Sequence, residues 1–281
     1  MTSTGDASVR PRSGEVTLLL GDAEQVLAGL PSGSVDCVVT SPPYWGLRDY
    51  GVSGQLGAEP TVDGYLHRLV GVFDEVARVL AARGTVWLNL GDSFGGSWGN
   101  YVAAGSGART ATQRVAVPYG SHRPPQAVYR AKDLVGVPWR VVFVLLERGW
   151  VLRNAVVWHK TNARPESVRD RFAQRYERVF LLVRTTEHWF QPVSEQAAVG
   201  DVWTVGADRA RTGHRAAGTV EIARRCVRLG CPVGGVVLDP FSGSGTTGLA
   251  AREHGCSFIG IDLDPACHEI ARRRLGEPRL P

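Results

Sequence analysis

Four residues near the N-terminus, Ser41-Pro42-Pro43-Tyr44, put a hydroxyl, a fixed carbonyl and an aromatic ring side by side. They follow Val35-Asp36-Cys37-Val38-Val39-Thr40, an apolar, β-branched run that predicts a buried strand. Two consecutive prolines continue neither a strand ladder nor a helix, and they bias Ser41 and Pro42 towards extended geometry. The strand must therefore end in a stiff loop. Such a loop suits a flat ring that carries an exocyclic amine. The lone pair of that amine is delocalised into the ring, so the nitrogen is a poor nucleophile. Ser41 Oγ and the Pro42 carbonyl would each accept one N–H, draw the nitrogen towards a tetrahedral shape and free its lone pair, with Tyr44 stacked on the ring. The plain alternative is a proline-rich turn that closes a strand.

A second chemical stretch lies near the other end, at Asp239-Pro240-Phe241-Ser242-Gly243-Ser244-Gly245-Thr246-Thr247-Gly248. It sits between a predicted strand, Val236 to Leu238, and a predicted helix that runs to about His254. Gly243, Gly245 and Gly248 fit G-x-G-x-x-G, and Asp262 follows about 20 residues on, the pattern of a nucleotide-binding turn. A carboxylate at Asp239 would repel a pyrophosphate but attract an ammonium. S-adenosylmethionine has no phosphate, a cationic amino acid end and a ribose diol that Asp262 can accept from. The plain alternative is a glycine turn used only for close packing.

With both loops in hand, the sequence resembles the DNA amino methyltransferases that modify cytosine N4 or adenine N6. The likeness runs from about Glu15 to Leu275. The order, catalytic loop first and cofactor loop near the C-terminus, is similar to the β group of that family. Trp158-x-Lys160-x-Asn162, Pro165-Glu166-Ser167 and Tyr176-Glu177 are similar to family blocks as well. The resemblance implies a doubly wound α/β fold: a mostly parallel, seven-stranded methyltransferase sheet with an antiparallel strand pair and a circularly rearranged order. It implies catalytic residues Ser41, Pro42, Pro43 and Tyr44. Candidate cofactor residues are Asp22, Thr40, Asp239, Phe241, Gly243, Gly245, Thr246, Thr247 and Asp262, with Asp22 near the adenine. Serine at the head of the catalytic loop leans towards cytosine N4 and aspartate towards adenine N6, which stays open as the alternative. Transfer is expected to be direct, from sulfur to nitrogen, with no covalent enzyme intermediate and no metal. A non-catalytic DNA-binding module and a methyltransferase for RNA or a protein amide are the other readings.

The elements that must position these loops are legible in part. Strands are predicted at Glu15 to Leu20, into Thr40, at Thr85 to Leu90, Trp150 to His159, Glu177 to Arg184 and Ser257 to Ile261, besides the one before Asp239. The Trp150 and Glu177 strands read as antiparallel, because no helix separates them. Helices are predicted at Ala23 to Leu30, Tyr65 to Leu80 with Gly84 as its cap, Val137 to Arg148, Thr219 to Leu229 and Pro265 to Leu275. Residues 1–14 read as a loose tail and 15–281 as one domain. Within it, 93–132 is an insertion rich in glycine, arginine and aromatics. Only about ten residues separate Trp203 from His214, where the family carries a long target-recognition segment. Sequence reading is therefore expected from Ser93 to Lys132, from Arg164 to Arg178 or from a second subunit. Trp45, Arg109, Arg114, Arg123, Lys160, Arg164 and Arg169 are the expected DNA contacts.

Composition agrees with this. The chain has 281 residues and a formal net charge of +5, with a pI near 9.1, which hints at a polyanionic partner. Its five cysteines are odd in number and show no C-x-x-C spacing, against a disulfide framework or a zinc site. With no apolar run of membrane-spanning length, a cytoplasmic enzyme is expected. The expected partners are double-stranded DNA and a cognate restriction endonuclease, with the chain a monomer or a homodimer.

Overall fold

The structure, a computed structural model, describes residues 14–47, 50–95, 129–130, 132–163, 165–166, 168–191, 200–208 and 219–276. In chain order the elements are β1 (Val16–Leu20), α1 (Ala23–Ala28), β2 (Val35–Thr40), α2 (Val62–Val79), β3 (Leu80–Leu90), α3 (Val137–Glu147) and β4 (Val151–His159). Then come β5 (Tyr176–Val183), β6 (Val202–Thr204), α4 (Val220–Gly230), β7 (Val236–Asp239), α5 (Thr246–Glu253), β8 (Ser257–Asp262) and α6 (Pro265–Leu275). The strands form one sheet in the order β1-β8-β7-β2-β3-β5-β4-β6. Only β5 runs against its neighbours, antiparallel to both β3 and β4.

Both faces of the sheet are covered, so successive residues along a strand enter different cores. In β2, Val35 and Val38 face the core under α1, α2 and α3, while Cys37 and Val39 face the core under α4, α5 and α6. Phe180 and Leu182 of β5 point to the first core, and Val179, Leu181 and Val183 to the second. This explains why the strands read as continuous apolar runs. The amphipathic α2 buries Val62, Tyr65, Leu69, Val72, Phe73, Val76 and Val79, and the Thr61 side chain caps it by accepting from Gly64 N.

The doubly wound α/β expectation and its antiparallel strands hold, with two corrections. The sheet has eight strands rather than seven, because Val202–Thr204 pairs in parallel with the outer edge of β4. And α2 stops at Val79 rather than near Gly84: Leu80 is already extended, and β3 begins there. The β2–β3 register jumps between Val35↔Leu80 and Cys37↔Thr85, so the segment ending in Gly84 is a break in the ladder and not a helix cap. Among the described residues, no helix is long and apolar enough to cross a membrane.

One glycine tests the packing of α4 on the sheet. A Cβ on Gly230 would lie 2.2 Å from Trp87 Nε1 and 2.5 Å from Thr85 Oγ1, both on buried side chains. Helix preference alone would make Gly230→Ala stabilising by about 1 kcal/mol. The clash instead predicts destabilisation by roughly 1–3 kcal/mol. A lower urea midpoint with an unchanged slope is the expected result, and a higher midpoint would contradict this packing.

Candidate active site

The sheet reverses its winding between β7 and β2. From β7 the chain crosses through α5 to β8 on one side; from β2 it crosses through α2 to β3 on the other. The crevice beyond the strand ends at such a switch point is where open α/β sheets bind ligands. Here the carboxyl ends of β2 and β7 carry Thr40 and Asp239, and a cleft of about 1210 Å³ opens over them. The two chemical stretches of the sequence meet in this cleft. Of the expected residues, Asp22, Thr40, Ser41, Pro42, Pro43, Tyr44, Lys160, Asp239, Phe241, Gly243, Thr246, Thr247 and Asp262 line it.

Asp239 joins the two loops. Its Oδ1 accepts from Thr40 Oγ1 at 2.7 Å, across 199 residues of chain, and from Phe241 N at 3.1 Å. Its Oδ2 accepts from Thr247 Oγ1 at 2.7 Å. The residue is only 5% exposed, and among the described residues no cationic side chain forms an ion pair with it. Burial pushes its carboxyl up to about 6, against the pull of the hydrogen bonds from Thr247, Thr40 and Phe241, and the nearby Asp262 adds to the rise. A buried carboxylate without a cation, at the floor of a cleft, suits a ligand with a positive end.

The glycine turn joins β7 to α5. Gly245 caps α5 with φ of 75°, the left-handed region that favours glycine. A Cβ on Gly248 would lie 2.7 Å from Phe258 Cδ1, so its bareness lets α5 pack closely on β8. Gly243 N donates to Asp262 Oδ2 at 2.7 Å, and Asp264 N donates to Asp262 Oδ1 at 2.8 Å. Burial raises the Asp262 carboxyl despite these bonds. Ser242, which borders the cleft, buries its Oγ with no hydrogen-bond partner among the described atoms. Thr246 and Thr247 turn their hydroxyls into the protein, towards Arg274 and Asp239 respectively.

Tethers hold the proline loop along its whole length. Tyr65 Oη donates to the Pro43 carbonyl at 3.0 Å, Ser93 Oγ to the Trp45 carbonyl at 2.7 Å and Gly46 N to the Gly57 carbonyl at 2.9 Å. Trp45 corrects an expectation. Its side chain is 1% exposed, packed edge-on against Tyr129, with Nε1 donating to the Glu59 carbonyl. It anchors the loop in the core and does not face DNA.

A residue outside the expected site, Glu177, holds the Tyr44 end of the proline loop. Glu177 Oε2 accepts from Tyr44 Oη at 2.9 Å and from Asn89 Nδ2 at 3.1 Å, and Lys160 Nζ pairs with Oε1. Tyr44 Oη lies 3.2 Å from Ser41 Oγ. A carboxylate only accepts, so Tyr44 must donate to Glu177. Ser41 must then donate to Tyr44, and Ser41 Oγ presents lone pairs alone to the cleft. Burial first, then the Glu177 carboxylate, push the Tyr44 phenol well above its usual range. Lys160, expected on the DNA side, is turned inward to this network and sits 4.5 Å over the Trp158 ring. Arg169 is exposed, as a DNA contact requires, while Arg109, Arg114, Arg123 and Arg164 lie outside the described residues. The sequence signal for Glu177 is the Tyr176-Glu177 pair that is similar to a family block, though it gives the residue no role.

Comparison with known proteins agrees with this geometry. A family model described as DNA methylase, of the N6/N4 class, matches residues 35–273. The Type II methyltransferase M.XycI of Xanthomonas campestris pv. cyanopsidis is 42% identical over 268 residues, covering 92% of this chain and 87% of its own. M.SmaI of Serratia marcescens is 40% identical, covering 92% and 90%. Among solved structures, the cytosine-N4-specific PvuII DNA methyltransferase superposes with a TM-score of 0.67 at 15% identity, covering 95% of this chain and 96% of its own. A candidate DNA modification methylase of Thermus thermophilus, complexed with S-adenosyl-L-methionine, does so at 0.63 with 26% identity, covering 93% and 95%.

The buried Asp239 carboxyl makes a signed prediction. Its folded value, about 6, exceeds the unfolded value of about 3.9. The native state thus holds its proton more tightly, and this group lowers stability as pH rises from about 4 to about 6, by on the order of 3 kcal/mol. Unfolding curves of wild type and Asp239→Asn should diverge across that window, with the variant losing less stability. Parallel pH profiles would contradict the assignment.

Proposed function

The chain belongs to the N6/N4 family of DNA methylases, and from that premise we propose that it methylates cytosine N4 in double-stranded DNA at a specific site, using S-adenosylmethionine. The observation that carries the reading is the meeting of two loops, one built to accept amine N–H bonds and one built around a buried carboxylate, tied by the Thr40–Asp239 hydrogen bond.

The residues present fit that cofactor. Asp239 offers an uncompensated carboxylate to an ammonium, and Ser242 Oγ an unused hydroxyl. Asp262 keeps lone pairs for a ribose diol beyond the two backbone bonds it accepts. Asp22 caps α1 through Oδ1 and borders the cleft, where its carboxylate can meet the adenine side. Bound there, S-adenosylmethionine supplies an electrophilic methyl whose bonding pair returns to sulfur on transfer.

The protein does the rest by position. A base paired in a duplex must first leave the stack. Ser41 Oγ, its proton committed to Tyr44, accepts one amine N–H. The Pro42 carbonyl, to which no described residue donates, accepts the other. The nitrogen lone pair then turns towards the methyl. As the N–C bond forms, one N–H bond breaks, and its proton passes to Ser41 Oγ while the Ser41 proton moves along Tyr44 Oη to Glu177. The high proton affinity of the phenol keeps Tyr44 a conduit rather than a tyrosinate. The neutral Ser41 acceptor supports cytosine as the target, and adenine N6 is the alternative. Likeness to Type II methyltransferases supports a matching restriction endonuclease as the biological partner.

Labelled cofactor and DNA, followed by digestion to nucleosides, test the reading. N4-methylcytosine is expected, N6-methyladenine would replace the base, and an absence of transfer would overturn the proposal. In the same assay Ser41→Ala should lower kcat at least about a hundredfold and leave cofactor affinity within about twofold. Glu177→Gln can donate to Tyr44 and so reverse the chain of hydroxyls. It should lower kcat about tenfold or more with little change in KM. Wild-type rates in both variants would contradict the roles assigned to Ser41 and Glu177.

A further inference from the structure

The loop between β4 and β5 carries a feature that methyl transfer does not use. Phe172, shortly before β5, is 95% exposed. Single exposed apolar residues are common on proteins and need no function. This one differs by its setting. Exposed Arg169 and Arg175 flank it in sequence, a charge pattern suited to phosphates. The loop beneath it is fastened. Arg171 pairs with Glu166, donates to the Phe172 carbonyl and lies 3.8 Å over the Phe94 ring, while Asp170 pairs with Lys132. At the loop base, Lys160 N donates to the Arg175 carbonyl at 2.8 Å. Phe172 therefore projects from a braced support.

Its position relative to the cleft is set by the chain. Gln174 and Tyr176 line the cleft, and two residues span at most about 7 Å. The same strand start supplies Glu177, which holds Tyr44. A ring on this rim and the pocket beside Ser41 are thus carried by one short segment.

We propose that Phe172 is a positioning residue that enters the duplex and fills the gap left by the extruded base. This deepens the proposed function and rests on its requirement that the target leave the stack. Apolar side chains inserted between base steps repay lost stacking and hold the duplex open. The ring of Phe172, between cations that grip the backbone, has the shape and chemistry for that task, and no bond changes hands in the step.

The test uses the full-length protein and two duplexes that carry the site found by product mapping. In one the target base is paired; in the other it faces an abasic position, so no partner must be abandoned. Phe172→Ala should lower kcat/KM on the paired duplex by at least about tenfold, yet stay within about twofold of wild type on the abasic duplex. Phe172→Trp should keep most activity on both. Equal losses of Phe172→Ala on the two duplexes, or no loss on either, would overturn the wedge. Failure of the wild type to methylate either duplex would instead overturn the methyltransferase reading.

Discussion

A carboxylate buried between two strand ends is the constraint on which the site depends. Asp239 cannot stay ionised inside the protein without donors, and it recruits them from both halves of the chain: Thr40 at the end of β2, Thr247 in α5 and the Phe241 backbone. A hydrogen bond to a charged group contributes roughly 1.5–3 kcal/mol, and these three offset the cost of burial only in part, since the carboxyl still sits near 6. The bond that joins the loops and the uncompensated carboxyl at the floor of the cleft thus belong to one side chain.

The proline loop shows the complementary strategy. Its prolines remove backbone freedom, and hydrogen bonds at Thr40, Pro43, Trp45 and Gly46 remove most of what is left. Rigidity alone would not orient a serine hydroxyl, which rotates freely. The Glu177 carboxylate does so at a distance, through Tyr44, because a group that only accepts fixes the direction of every donor before it. Lys160 and Asn89 hold Glu177 in turn. Charge thus sits two hydroxyls away from the cleft, and the Ser41 acceptor that faces the cleft stays neutral.

Much of this is legible in the sequence, for physical reasons that also mark the limits. Ser-Pro-Pro-Tyr after β2 and the glycine turn after β7 are local signals, since backbone chemistry alone dictates a loop at each. Strand β5 is recognisable as reversed because nothing helical separates it from β4. The role of Glu177 is not legible: besides Lys160, its partners lie 133 residues away at Tyr44 and 88 away at Asn89, and no local pattern encodes pairings of that span. Trp45 misleads for a related reason. An aromatic beside a catalytic loop looks like a stacking platform, yet the core under α2 has room for it and a carbonyl for its indole N–H. Gly84 reads as a cap because helix and strand meet without a turn, so propensity has no boundary to detect. Strand β6, three residues long, is below the length at which alternation can be seen, and only the exposed edge of β4 makes it a strand.

The central claim is spatial: a methyl donor held by the β7 loop faces an amine held by the β2 loop. A crystal structure with duplex DNA and a non-transferring analogue of S-adenosylmethionine tests it most directly. The account predicts the amino acid end of the analogue at Asp239, the target base out of the stack with its amine on Ser41 Oγ and the Pro42 carbonyl, and the methyl-equivalent atom about 3–3.5 Å from that amine. An analogue bound away from Asp239, or a target amine held by residues other than Ser41 and Pro42, would contradict it.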